Sequence, residues 1–207
     1  MNEIMRGVIL LMTMLSAALG ASAQQSPREW IDMLNRSLGA SYGVHVEVTT
    51  DDSEEPVAGY YIVDGDSYYL QLGVMEVYSD AKLRYEINNE RKEVTEDVVN
   101  LESVDLLTNP TRAFNFVDDE FDASIVEQNA EGATLRLVPK DELLGISDIR
   151  LVLRRDGATV MPTDVSYDYD GYVVDIELHV VDTQDTSLPR WAERKANYRA
   201  YDMVSFL

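Results

Sequence analysis

The chain has no cysteine and only two histidines, His45 and His179. No disulfide frame, thiolate metal centre or Cys-His nucleophile can therefore be built, and two unclustered histidines give no reason to expect a zinc site. Without a thiol the chain cannot itself be acylated on cysteine. Positive charge is also scarce, with 17 Lys and Arg against 38 Asp and Glu and a formal net charge of −21. A field of that sign repels nucleic acid and anionic membrane surfaces. Long apolar runs are missing too. The longest, Gly7 to Leu19, is broken by Thr13 and Ser16 and falls short of the ~20 residues that a bilayer span requires.

That run follows Arg6 and precedes Ala21-Ser22-Ala23, the order of a secretory signal peptide, so residues 1–23 are expected to be cleaved on export. Cleavage removes Glu3 and Arg6 together and leaves the net charge unchanged. The rest, Gln24 to Leu207, has the length of one domain and must take its stability from its core.

One helix is encoded at the start of that domain. Ser26-Pro27-Arg28-Glu29 supplies a capping serine, a proline at the first helical position and a glutamate reaching back to the cap. Trp30, Met33, Leu34 and Leu38 follow at helical spacing, and Gly39 suits the stop. Beyond it the period is two. Tyr42, Val44, Val46 and Val48 alternate with polar neighbours, as do Leu83, Tyr85 and Ile87, then Ala133, Leu135 and Leu137, then Ile149, Leu151 and Leu153. Asp170-Gly171 predicts a two-residue hairpin that sets Tyr169 against Tyr172, Tyr167 against Val174 and Val165 against Ile176. Asp64-Gly65 predicts a second, setting Val63 against Asp66 and Tyr61 against Tyr68. Alternation also favours Val77 opposite Leu83 through an odd-length loop. The expectation is a meander of hairpins, apolar on one side. Acidic runs at Asp51–Glu55 and Asp118–Asp122 read as solvated loops. Leu101 to Phe116 breaks the rhythm as a short helix ending at Asn109-Pro110 with Phe114 and Phe116 behind it. Trp191 to Arg199 reads as a frayed helix or an arm with no assigned role.

Little here looks catalytic. Both histidines lie on the polar side of their strands, and no nucleophile elbow is present, so the protein is expected not to be an enzyme and to need no metal or cofactor. Ser166-x-Asp168-x-Asp170-Gly171 with Glu177 approaches a calcium loop, but its first ligand is serine and its flanks are strands, so the hairpin reading is preferred.

Val77-Tyr78-Ser79-Asp80-Ala81-Lys82-Leu83-Arg84-Tyr85-Glu86-Ile87-Asn88 resembles the "YYDGKxLWxYN" hairpin of the LolA-like periplasmic lipoprotein carriers. Glu93-Val94-Thr95 and Leu106-Leu107-Thr108-Asn109-Pro110 resemble the strand and short helix that follow it there. Ile149-x-Leu151 and Val165 to Ile176 are similar to the family's closing strands. The resemblance implies a mainly β (α+β) fold, a curved antiparallel sheet forming an open half-barrel covered by an N-terminal helix and short internal helices, with residues 24–207 as one lipoprotein-binding domain. It implies a periplasmic chaperone that shields acyl chains and carries lipoproteins from an inner-membrane releasing complex to an outer-membrane acceptor. Such a carrier is expected to be a monomer that does not insert stably into membranes. The cavity residues expected on this basis are Trp30, Leu34, Leu107, Phe114 and Phe116 on the covering helices and Tyr69, Tyr78, Tyr85, Leu151 and Ile176 on the sheet. Asp80-Ala81 departs from the family's Asp-Gly, and the Arg-Pro pair is absent, so no arginine latch is inferred. The alternative is an envelope protein-binding module, a stress sensor or assembly factor on the same fold, without lipid cargo.

Overall fold

The alternation produces a single sheet. In the computed structural model, which describes residues 24–52, 55–99, 120–140, 146–169, 171–182 and 187–207, α1 (Pro27–Leu38) precedes twelve strands. They are β1 (Ser41–Thr50), β2 (Val57–Asp64), β3 (Ser67–Leu72), β4 (Met75–Ser79), β5 (Leu83–Asn88), β6 (Glu93–Val98), β7 (Phe121–Gln128), β8 (Gly132–Pro139), β9 (Ile146–Asp156), β10 (Thr159–Tyr169), β11 (Tyr172–Asp182) and β12 (Asp202–Ser205). Their spatial order is β12-β6-β5-β4-β3-β2-β1-β11-β10-β9-β8-β7, open at both ends and antiparallel except where β12 runs parallel to β6. This is the expected mainly β, open-sheet architecture. The Leu101–Phe116 helix reading lies outside the described residues. Asp51 and Asp52 sit in an exposed turn as expected, whereas Phe121-Asp122 opens β7 instead of lying in a loop.

The helix forms as its sequence dictates. The Ser26 hydroxyl accepts from the Glu29 amide, and the Glu29 carboxylate accepts from the Ser26 amide at 2.7 Å, which closes the capping box. Trp30, Ile31, Leu34 and Leu38 form its buried stripe, and Gly39 leaves the helix at φ +69°.

Two loops settle the register. The Tyr169/Tyr172, Tyr167/Val174 and Val165/Ile176 pairs form as expected, so the calcium-like stretch is a hairpin. The earlier turn differs, because Val63 pairs with Tyr68 and Tyr61 with Leu70 around Gly65-Asp66. Gly65 takes the left-handed φ of +60° at the first central position, which a two-residue turn of this hand needs from glycine, and the pairing slides along by two residues. A slide of two keeps every side chain on its expected face.

The loop after β4 has a larger effect. Tyr78 pairs with Tyr85 and Val77 with Glu86, not with Leu83, so the loop is the even-length Ala81-Lys82. The Asp80 carboxylate accepts from the Lys82 and Leu83 amides, and Ala81 takes φ +72°. Because the parity is fixed there, Leu83, Tyr85 and Ile87 land on the face opposite Val77, and β6 follows with Val94 paired to Ile87. The sheet is therefore not apolar on one side throughout. β1–β4 and β7–β11 present most of their buried apolar residues toward α1, with Ile62, Tyr78 and the half-buried Tyr69 as exceptions on the other face, while β5 and β6 present Arg84, Glu86, Thr95 and Asp97 there and turn their apolar residues away.

Backbone proximity adds one strict requirement. A Cβ at Gly132 would lie 2.1 Å from the Leu153 carbonyl oxygen on the neighbouring strand, a contact with backbone that no rotamer relieves. Gly132→Ala is expected to destabilise the fold by about 3 kcal/mol, seen as a lower urea midpoint, whereas Gly157→Ala meets no atom and costs only its backbone strain.

Candidate functional site

The apolar surface facing α1 extends over the nine strands β1–β4 and β7–β11. Val44, Val46, Tyr61, Leu70 and Val77 carry it from β1 to β4, and Leu135, Leu151, Val165 and Ile176 carry it from β8 to β11. Across this face α1 packs on β10 and β7, one end of the sheet.

Its attachment there combines burial with a few polar contacts. Trp30 is buried at 1% exposure, and its indole Nε1 donates to Gln128 Oε1 at 3.1 Å. The Arg155 guanidinium lies 4.4 Å from the Trp30 ring centroid and donates to Gln25 Oε1 at 2.5 Å. The Val160 amide donates to Ser37 Oγ at 2.8 Å. An arginine thus fastens helix to sheet from β9, at a position where no sequence motif marked it.

The ten expected cavity residues do not all meet. Trp30, Leu34, Leu151 and Ile176 share the α1-facing core. Leu107, Phe114 and Phe116 lie outside the described residues. Tyr69, Tyr78 and Tyr85 point from the opposite face, as the β4–β5 parity requires, and belong to a second cluster with Ile87 and Val94.

That second cluster has its own cover, for which the residue pattern offers little warning. α2 (Trp191–Arg194) and the 3-10 turn Lys195–Tyr198 lie over it before β12 pairs with β6. Trp191 stacks between Tyr85, at 4.5 Å and 15°, and Tyr198, at 5.6 Å and 19°. Beneath them one carboxylate gathers the hydroxyls. Glu76 Oε2 accepts from Tyr69, Tyr78 and Tyr198, each at 3.0 Å, while Oε1 accepts from Asn89 at 2.8 Å. Tyr201 donates to the same Asn89. An open cleft of about 340 Å³ between Tyr78, Tyr85, Pro189, Trp191 and Lys195 borders this arm.

On the tyrosine-bearing side of β1 and β11, His179 Nε2 lies 3.6 Å from Glu47 and 3.9 Å from Glu177. All three are exposed, an arrangement of surface ion pairs that forms when the imidazole is protonated.

With this geometry in hand, the relation to known proteins is one of fold. No family model matches the sequence, and no curated protein matches it either. An uncharacterized conserved protein of Thermus thermophilus superposes with a TM-score of 0.54 at 12% identity, over 86% of this chain and 98% of that one. The two share a fold. The neighbours also include a LolA superfamily protein of Nitrosomonas europaea, with a TM-score of 0.43 at 10% identity over 80% of this chain and 96% of that one. A putative outer membrane lipoprotein-sorting protein domain of Vibrio parahaemolyticus gives 0.44 at 11% identity over 83% and 95%.

Burial pushes Glu76 up, but hydrogen bonds from Asn89, Tyr198, Tyr69 and Tyr78 together hold its carboxyl below the ordinary value. Its contribution to stability is present above that ordinary value and is lost as pH falls through the depressed one. Burial, the Glu96 hydrogen bond and nearby carboxylates push Tyr85 up to about 12. Burial first, then Glu76, raises Tyr69 and Tyr198, and burial with the Tyr198 bond raises Tyr78. Burial also raises Tyr42 and Tyr61 on the other face. These phenols stay protonated in the fold, so their stabilisation is complete below the unfolded value of about 10 and declines as pH rises past it. Tyrosinate absorbance is expected to lag the normal titration above pH ~10 and then rise cooperatively with unfolding. Glu76→Gln should blunt the loss of arm protection on acidification, read by hydrogen exchange at the amides of β5 and β6.

Proposed function

We propose that the protein is a periplasmic carrier of acylated lipoproteins, and that the α1-facing side of the sheet is where the acyl chains lie. The observation that carries this reading is the extent of that apolar face, which spans β1–β4 and β7–β11 and is buried throughout, from 0% exposure at Val44 to 9% at Tyr61, with α1 packed on β10 and β7. Each methylene removed from water is worth about 0.8 kcal/mol, so acyl chains cross an aqueous compartment only when shielded, and an open sheet with a helical flap offers such a shield. The resemblance of the Val77–Asn88 hairpin to lipoprotein carriers and the signal-like residues 1–23 support the same reading. Trp30, Leu34, Leu151 and Ile176 are the described residues assigned to the acyl-binding side; Tyr69, Tyr78 and Tyr85 are not, because they serve the other face. The partners are acylated lipoproteins, a releasing complex at the inner membrane and an acceptor at the outer one. No enzymatic step is assigned.

Incubating the mature chain with a triacylated lipoprotein, and with the same protein stripped of its acyl chains, tests this directly by native mass spectrometry. A one-to-one complex formed only by the acylated form, with a raised melting temperature, is expected. Equal capture of both forms would contradict lipid shielding and favour the alternative, an envelope protein-binding module.

A further inference from the structure

The charge of this chain is not evenly spread. Residues 188–207 carry Arg190, Arg194, Lys195 and Arg199 against two acids, Glu193 and Asp202, so the remainder is more acidic than the net −21 suggests. All four basic side chains are exposed, because Trp191, Tyr198 and Tyr201 use the inner side of the arm to grip the tyrosine cluster. Immediately after them, β12 lies at the outermost position of the sheet and brings out Met203 and Val204, with Phe206 and Leu207 beyond, at 66% and 67% exposure. The Phe206 amide is tied to the Glu96 carbonyl at 2.9 Å, so its exposed ring is held at the edge by backbone pairing.

Four exposed basic residues followed in the chain by exposed large apolar side chains match a lipid headgroup region, where cations meet phosphates and apolar side chains enter the acyl boundary. We propose that the Arg190–Leu207 arm docks the protein reversibly on an anionic phospholipid surface, with Arg190, Arg194, Lys195 and Arg199 on the headgroups and Phe206 and Leu207 below them. The overall negative charge does not forbid this. At physiological ionic strength the screening length is about 8 Å, so a membrane at the β12 edge senses the arm and the neighbouring β6 acids Glu93, Glu96 and Asp97, and not acids at the β7 end. Composition alone predicts repulsion because it averages over charges that the fold separates. The docking is peripheral, and it goes beyond the carrier reading without requiring it.

Co-sedimentation of the mature chain with vesicles of equal parts phosphatidylglycerol and phosphatidylcholine, against pure phosphatidylcholine vesicles, is the test. Binding to the anionic vesicles alone, weakened by salt, is expected. Arg194→Glu with Arg199→Glu should lower it about tenfold or more, and Phe206→Ser with Leu207→Ser several-fold. All four residues are solvent-exposed, so the circular dichroism and melting temperature of both variants should match the parent. Equal sedimentation with neutral vesicles, binding unchanged by the charge reversal, or salt-sensitive self-association with no vesicle binding would overturn the proposal, the last pointing to a second copy's acidic surface as the arm's partner.

Discussion

The organisation of this protein depends on strand parity at one loop. A strand's side chains alternate strictly between faces, so the number of residues in a connecting loop decides which face the next strand's apolar residues reach. Ala81-Lys82, fastened by the Asp80 carboxylate, sends Tyr85 and Ile87 to the side away from α1. Fully burying residues such as Ile87 and Val94 is worth roughly 1.5–3 kcal/mol each, so that face must be covered. The segment from Trp191 to Ser205 provides the cover and also pairs with the β6 edge, which would otherwise offer its free amides and carbonyls to other chains.

Two faces allow two roles. The α1 side is broad and apolar over β1–β4 and β7–β11, and α1 is fastened to it by Trp30, Arg155 and Ser37 at one end. The tyrosine side is smaller and internally bonded: three phenols and an amide converge on Glu76, so its partly buried charge is satisfied within the protein. That network favours a fixed cover over a moving one, and it turns the arm's basic residues outward.

Most of the architecture was legible in the sequence. The capping box, the period-two strands and the Asp170-Gly171 register follow from local rules and appear as expected. What was not legible required knowledge of loop parity or of distant partners. The Val77/Leu83 pairing failed because alternation cannot tell which face a strand's apolar set serves when both faces are buried. The Asp64-Gly65 turn slipped because glycine supports a positive φ at either central position, and only the strand pairing decides which. Of the tyrosines expected in the cavity, Tyr69, Tyr78 and Tyr85 all face away from α1, while the adjacent Tyr68 faces it. Trp191, Tyr198 and Tyr201 show no regular period, since a short helix and a 3-10 turn follow one another there, and their partners lie about a hundred residues away in β4 and β5.

The assignment of acyl chains to the α1-facing side is tested most directly by photo-crosslinking with a lipoprotein whose acyl chains carry a diazirine, followed by peptide mapping. Labels are expected on that side, in peptides containing Val46, Leu70, Leu151 or Ile176, with none on the Tyr78–Tyr85 hairpin or the Trp191 arm. Labelling concentrated on Tyr78, Tyr85 or Trp191 would put the acyl chains on the opposite face and contradict the assignment.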